Sequence, residues 1–301
     1  MRDLKPLLAL IFTMIVWGLA PVVLRSQAVE IGAADSLIIR YTIVSAIYAA
    51  MLAMAGSARI ARADWPRLLL ISLVGMMGYN LGSMFGFEHA TAGIGGLIYA
   101  TQPLLIILLA AIVIRERLSA SAVIGIIIAG LGTVMLFWRD AGQGVDSSAL
   151  YGGGLLLLAC MAWAVYSVMS RPLLTRYGVL PVTAWSIILA TIPMYMLADS
   201  STVAALTTMT RRQWAELLFL AAISTVIATL TWNYSVARLP SATTGAFLYL
   251  IPVIAITAGA LFLGEDVTIA MIIGGLLILL GVAIAQFGPR PSKLRHTQNT
   301  V

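Results

Sequence analysis

Charge is what this sequence has least of. Only 10% of its 301 residues are Asp, Glu, Lys or Arg, against 61% that are hydrophobic. A soluble globular chain carries about 25% charge and roughly half apolar residues, and a water-soluble particle of the present composition would lack the polar surface to cover itself. The chain therefore reads as an integral membrane protein, and intrinsic disorder is excluded on the same ground. Cysteine occurs once, as Cys160 inside an apolar run, so an intrachain disulfide is impossible and a thiolate metal cluster is excluded. The two histidines, His89 and His296, are too few for a histidine-built metal site without much carboxylate help. No metal and no cofactor are expected.

What the sequence has in quantity is long apolar runs. A helix crossing the ~30 Å hydrocarbon layer needs about 20 mostly apolar residues. Ten such runs lie at about 6–25, 34–56, 66–87, 91–114, 118–138, 151–170, 180–198, 214–235, 241–263 and 267–287. They do not alternate as transmembrane strands do. The first run is too long for a cleaved signal, and Pro21 follows its one small-residue stretch. With the N-terminus in the cytoplasm, thirteen of the 18 lysines and arginines fall on that side; only Arg25, Arg40, Arg139, Arg211 and Arg212 lie opposite. The positive-inside rule thus places both termini in the cytoplasm. The net charge of +6 is a matter of topology, and no nucleic-acid partner is expected.

The chain matches itself. At an offset of 149, Gly96 falls on Gly245, Pro103 on Pro252, Glu116 on Glu265, Gly125 on Gly274 and Gly132 on Gly281. At 146, Trp17 falls on Trp163, Val22 on Val168 and Arg25 on Arg171. The expected organisation is two five-helix repeats, 1–146 and 147–288, with a cytoplasmic polar tail over 289–301. Five is odd, so the second copy enters the membrane upside down. Inverted repeats around a midplane site are how many secondary transporters obtain two nearly equivalent states.

The motif Glu116-Arg-Leu-Ser with Gly125 and Gly132, its partner Glu265-Asp-Val-Thr with Gly274 and Gly281, the pair Trp17-Gly18 and Arg40 early in the second helix together resemble the ten-span, EamA-type branch of the drug/metabolite transporter superfamily, over about residues 5–287. The second repeat departs from the pattern: Ala164 replaces the glycine, and no arginine matches Arg40. The resemblance implies alternating-access export from a bacterial inner membrane, of amino acids including aromatic ones.

Aromatic side chains normally gather at membrane interfaces, as Tyr177, Trp214, Trp138 and Trp232 are expected to do. Trp17, Tyr79, Tyr99, Trp163 and Tyr166 fall near the predicted centre instead, with the amides Asn80 and Gln102. These seven residues are the candidate substrate contacts, in an apolar central cavity beside adaptable methionines such as Met76, Met77 and Met161. Arg40 is read as a counter-charge for a substrate carboxylate, against snorkelling or pairing with Asp35. A proline inside a span frees the carbonyl four residues earlier; Pro21, Pro103 and Pro252 are candidate hinges or gates. Glu88-His89 closes the third span as an exposed pair. The stripe Gly78, Gly82, Gly86 suits close helix packing, within the chain or in a homodimer, a monomer being the expected state. No acid lies at the midplane, so the sequence marks no proton relay. The partners are then the lipid bilayer and a small-molecule substrate, an amino acid. A nucleobase or lipophilic cation is the alternative cargo, and a non-transporting sensor the alternative class; no pattern of catalytic residues points to an enzyme.

Overall fold

A computed structural model of the protein describes residues 4–56, 59–114, 119–136, 147–236, 247–248 and 250–287. Among them the regular structure is helical throughout. Ten apolar helices carry the fold: α1 (Lys5–Glu30), α2 (Ala33–Ala55), α3 (Arg62–His89), α4 (Ala92–Val113), α5 (Ala120–Met135), α6 (Ser147–Met169), α7 (Val179–Leu197), α8 (Arg211–Trp232), α9 (Leu250–Leu263) and α10 (Ile269–Ala285). Large apolar side chains such as Leu131, Leu261 and Leu276 are more than half exposed, as expected of surfaces that meet lipid tails rather than water. Helix α1 runs five residues past the expected end and takes Arg25 into its last turns. Glu116, Trp138 and the first residues of the expected ninth span lie outside the described residues.

Local chemistry sets the boundaries. The Thr91 and Ser119 side chains accept from the amides of Ile94 and Ala122, capping α4 and α5. The junctions entering α2 and α7 turn on Gly32 (φ +104°) and Gly178 (φ +83°), 146 residues apart, where only glycine adopts this backbone without strain.

The helices pack antiparallel along seams joining early and late parts of the chain. On α5 and α10, a Cβ added at Gly125 would lie 2.4 Å from the Gly281 carbonyl, and one at Gly132 would lie 2.6 Å from the Gly274 carbonyl. Small residues at these crossings let the two backbones touch. The stripe of α3 is used in the same way: Gly78 faces Ala162, Gly82 faces Ala159 and Gly86 faces Leu156 on α6, so it is spent inside the chain. Helix α1 lies on α8 through Thr13 to Thr231 (2.8 Å) and Trp17 to the Ser224 carbonyl (3.2 Å). Helix α2 lies on α7 through Ser45 to Thr191 and Thr42 to Tyr195.

Two helices depart from regular geometry, at matching places. Residues Ile71–Met77 of α3 and Phe219–Ile227 of α8 are π-helical, a widening that recurs at functional sites. Helix α4 is broken outright: Ala92–Tyr99 ends in a turn at Ala100–Thr101, and a second helix starts at Gln102. Pro103 therefore does not kink a continuous span as expected. It sits in the first turn of a new helix, where a missing N–H costs nothing. Leu248 is likewise in a turn, its carbonyl accepting from Ile251 N (3.1 Å), just before α9 and Pro252. Pro21 differs: α1 passes through it unbroken.

Candidate functional site

The break in α4, the π segment of α3 with the turn that follows it, and the middle of α6 meet, and their aromatic residues form one stack. Tyr79 and Trp163 have ring centroids 5.1 Å apart, Tyr79 and Tyr99 6.0 Å, and Trp163 and Tyr166 5.3 Å with nearly parallel planes. Phe87 closes the far end edge-on to Tyr99 at 5.7 Å. Each residue is placed by its helix: Gly75 and Gly78 let α6 approach so closely that an added Cβ at Gly75 would lie 2.8 Å from Tyr166 Cβ. The Tyr99 hydroxyl donates to Ser83 Oγ (2.7 Å), which fixes the ring at the helix break. The Gln102 side chain faces the Tyr79 hydroxyl and the Cys160 thiol.

Arg40 stands beside this stack. It is 4% exposed, and its Nη2 reaches Asn80 Oδ1 at a long 3.4 Å, while Asn80 Nδ2 donates to the Met76 carbonyl inside the π segment (2.8 Å). The guanidinium carbon is 5.1 Å from the Tyr41 ring centroid, and the hydroxyls of Tyr41, Tyr79 and Tyr99 lie within its electrostatic reach. Its Nε has no hydrogen-bond partner among the described residues. Pairing with Asp35 does not occur, because that carboxylate accepts from the hydroxyls of Ser201 (2.8 Å) and Thr202. Neither does Arg40 snorkel. A buried guanidinium with one long amide contact is under-satisfied.

The structure thus brings together Arg40, Tyr79, Asn80, Tyr99, Gln102, Trp163 and Tyr166, and leaves out Trp17. That ring packs at 5.4 Å on Trp232. A cavity of about 500 Å³ lies among α4, α5 and α6, with Thr101 at the helix break on its wall beside Leu104, Ala129 and Leu157; in the stack Tyr166 is buried, while Tyr79, Tyr99 and Trp163 stay partly exposed. Sequence reading missed Tyr41 and Ser83. Tyr41 follows Arg40 directly, and Ser83 is one turn from Asn80; those adjacencies were the available signals. His89 lies edge-on to Tyr151 at 5.1 Å, at the exposed end of α3.

The EamA-like transporter family model matches this chain twice, over residues 4–138 and 150–286. The chain belongs to that family. The transporter is 27% identical to an uncharacterized transporter of Archaeoglobus fulgidus over 93% of this chain and 98% of that protein. It is 28% identical to a probable terminal-alkyne amino-acid exporter of Streptantibioticus cattleyicolor over 94% of each. It is also 28% identical to a probable amino-acid metabolite efflux pump of Escherichia coli over 66% of this chain and 69% of that protein. A solved crystal structure superposes with a TM-score of 0.60 at 22% identity, covering 95% of this chain and 98% of the other, a likeness of fold. The protein is therefore a multi-pass membrane transporter of all-helical architecture.

Proposed function

We propose that this transporter exports small zwitterionic metabolites, amino acids with aromatic or hydrophobic side chains first among them, across a bacterial cytoplasmic membrane. Two inverted halves, 1–146 and 147–288, alternate around the Arg40–aromatic site, both termini are cytoplasmic, and the monomer is the working unit. Transport proceeds without cofactor or covalent chemistry.

One observation carries the reading: a guanidinium buried in the bundle, with no carboxylate to meet it among the described residues, beside a row of aromatic rings. A charge at this depth is costly unless something pairs with it. A substrate carboxylate supplies that partner, as a planar two-oxygen group matching the guanidinium fork. The rings of Tyr79, Trp163 and Tyr166 offer an apolar face to the side chain, and Gln102 with the tyrosine hydroxyls offers acceptors to an α-ammonium. Two curated relatives named for amino-acid efflux support the same cargo. The ladder of α4 is already interrupted at its break, and the two π segments already depart from α-helical pairing, so bending there sacrifices few bonds.

The test is counterflow in proteoliposomes with a radiolabelled panel of amino acids, a nucleobase and a lipophilic cation, with and without a pH gradient. Aromatic and branched amino acids are expected to exchange. Trp163→Ala and Tyr99→Ala should each lower that exchange about three- to tenfold, the order of one aromatic contact, in protein that remains inserted. Exchange of the nucleobase or cation alone, or full exchange by both variants, refutes the proposal.

A further inference from the structure

The start of α4 is held by a side chain that arrives from 172 residues away. Glu265 Oε1 accepts from the Ala92 amide at 2.8 Å, and its Oε2 accepts from the Gly93 amide at 3.3 Å. These are the first two N–H groups of a helix, the end where an anion is favoured by both the free donors and the dipole. Gly264, with φ +64°, turns the chain after α9 so that the carboxylate points back. Gly259 leaves it room, since a Cβ there would lie 2.6 Å from Oε2. Arg25 on α1 donates to the last carbonyls of α3, those of Phe87 (2.7 Å) and Glu88 (2.6 Å), and lies within electrostatic reach of both Glu265 and Glu88. Ends of α1, α3, α4 and α9 thus meet in one knot, on the membrane face opposite the N-terminus.

An ordinary helix cap is local, and α4 already has one in Thr91, which serves Ile94 N. The Glu265 bonds are different in kind: they exist only while the ends of α4 and α9 are together. Below them the seam is closed by Gly96 against Ala255 and by Gly93 against Ile256, contacts of dispersion alone. We propose that Glu265 is a latch that holds the far face shut, and that releasing it opens the α4–α9 seam toward the aromatic stack. This rests on the alternating-access reading above. The latch is reversible by construction, because the freed carboxylate and both amides would find water at the membrane surface, so opening exchanges hydrogen bonds rather than losing them.

The protein carries its own reporter. Cys160 is its sole cysteine, is fully buried, and sits with Sγ 3.8 Å from the Ile98 carbonyl on the half of α4 that the latch secures. In sealed, oriented vesicles, a membrane-impermeant methanethiosulfonate is applied to the face opposite the termini. Glu265→Gln should raise the rate of Cys160 modification about tenfold, the order of a lost charge-assisted hydrogen bond. Thr91→Ala, which removes the local cap but leaves the seam alone, should change it less than about twofold. The proposal is overturned if Glu265→Gln reacts at the wild-type rate, if Thr91→Ala reacts as fast as Glu265→Gln, or if Glu265→Gln reacts equally from both faces, the sign of a loosened fold. A wild-type protein that carries no solute but shows the Glu265→Gln effect refutes the transport reading and keeps the latch. Transport with no effect on Cys160 refutes the latch alone.

Discussion

Arg40 shows how much one side chain decides in a chain with so little charge. It spans the gap between α2 and α3 by a single long contact to Asn80, and the three tyrosines around it offer hydroxyls rather than a counter-charge. Replacing the guanidinium by a neutral amide removes an uncompensated charge from the empty protein, so Arg40→Gln should leave its thermal midpoint unchanged or raise it. Exchange of carboxylate-bearing substrates should fall tenfold or more, the value of a charge-assisted pair, while their amide analogues change less than about threefold. Equal losses for acid and amide in the counterflow assay would mark Arg40 as structural. The position was legible in the sequence because a lone arginine inside an apolar run needs a reason. Tyr41 was not, because an aromatic residue in a span looks the same whether it fills space or lines a site. Trp17 shows the converse error: it matches Trp163 in register, yet its indole N–H is taken up by the Ser224 carbonyl, and α8 carries no tyrosine where α3 has Tyr79.

At the scale of elements, irregular helices and tight crossings divide the labour. Carbonyls of the π segments Ile71–Met77 and Phe219–Ile227 accept from side chains: Met76 from Asn80, and Ser224 from Trp17. Prolines announce breaks, so the interruption of α4 was partly visible; that it would be a full turn with two helix ends was not. Nothing marks Phe219–Ile227 as a π segment, since no proline or glycine occurs in it. The α5–α10 crossing is the rigid counterpart. Its glycines were legible as a repeated spacing, and the structure adds that backbones are in contact there. Gly132→Leu should push the helices apart at a cost of about 3 kcal/mol or more, seen as a lower melting midpoint and reduced yield in detergent. A leucine at Gly130, where an added Cβ meets nothing within 4 Å, should be tolerated. Equal tolerance at both positions would mean that the crossing is not close.

For the whole molecule, composition and run length settled the class and the ten-helix plan, while the conformational state was not legible in them. A pattern of residues names which faces are apolar but not which conformational state the bundle adopts, and here a cavity among α4, α5 and α6 reaches the helix break at Thr101 beside partly exposed rings. Orientation rests on thirteen of 18 basic residues sharing one side. Phosphatase fusions at either terminus should be silent and fluorescent-protein fusions bright; active phosphatase at either end would invert the assignment.

The α5–α10 crossing has a consequence for how such a chain tolerates change. Gly125 meets Gly281, and Gly132 meets Gly274, so each glycine of one helix touches the residue 149 positions from its own neighbouring glycine. A surface built this way is its own complement. Two separate five-helix polypeptides of identical sequence, inserted in opposite senses, would meet along the same line with no new contact to devise. It also means that a bulky residue acquired on one side is cured only by a matching loss of bulk across from it, which ties the drift of α5 and α10 together at this line while leaving their lipid-facing residues free to diverge.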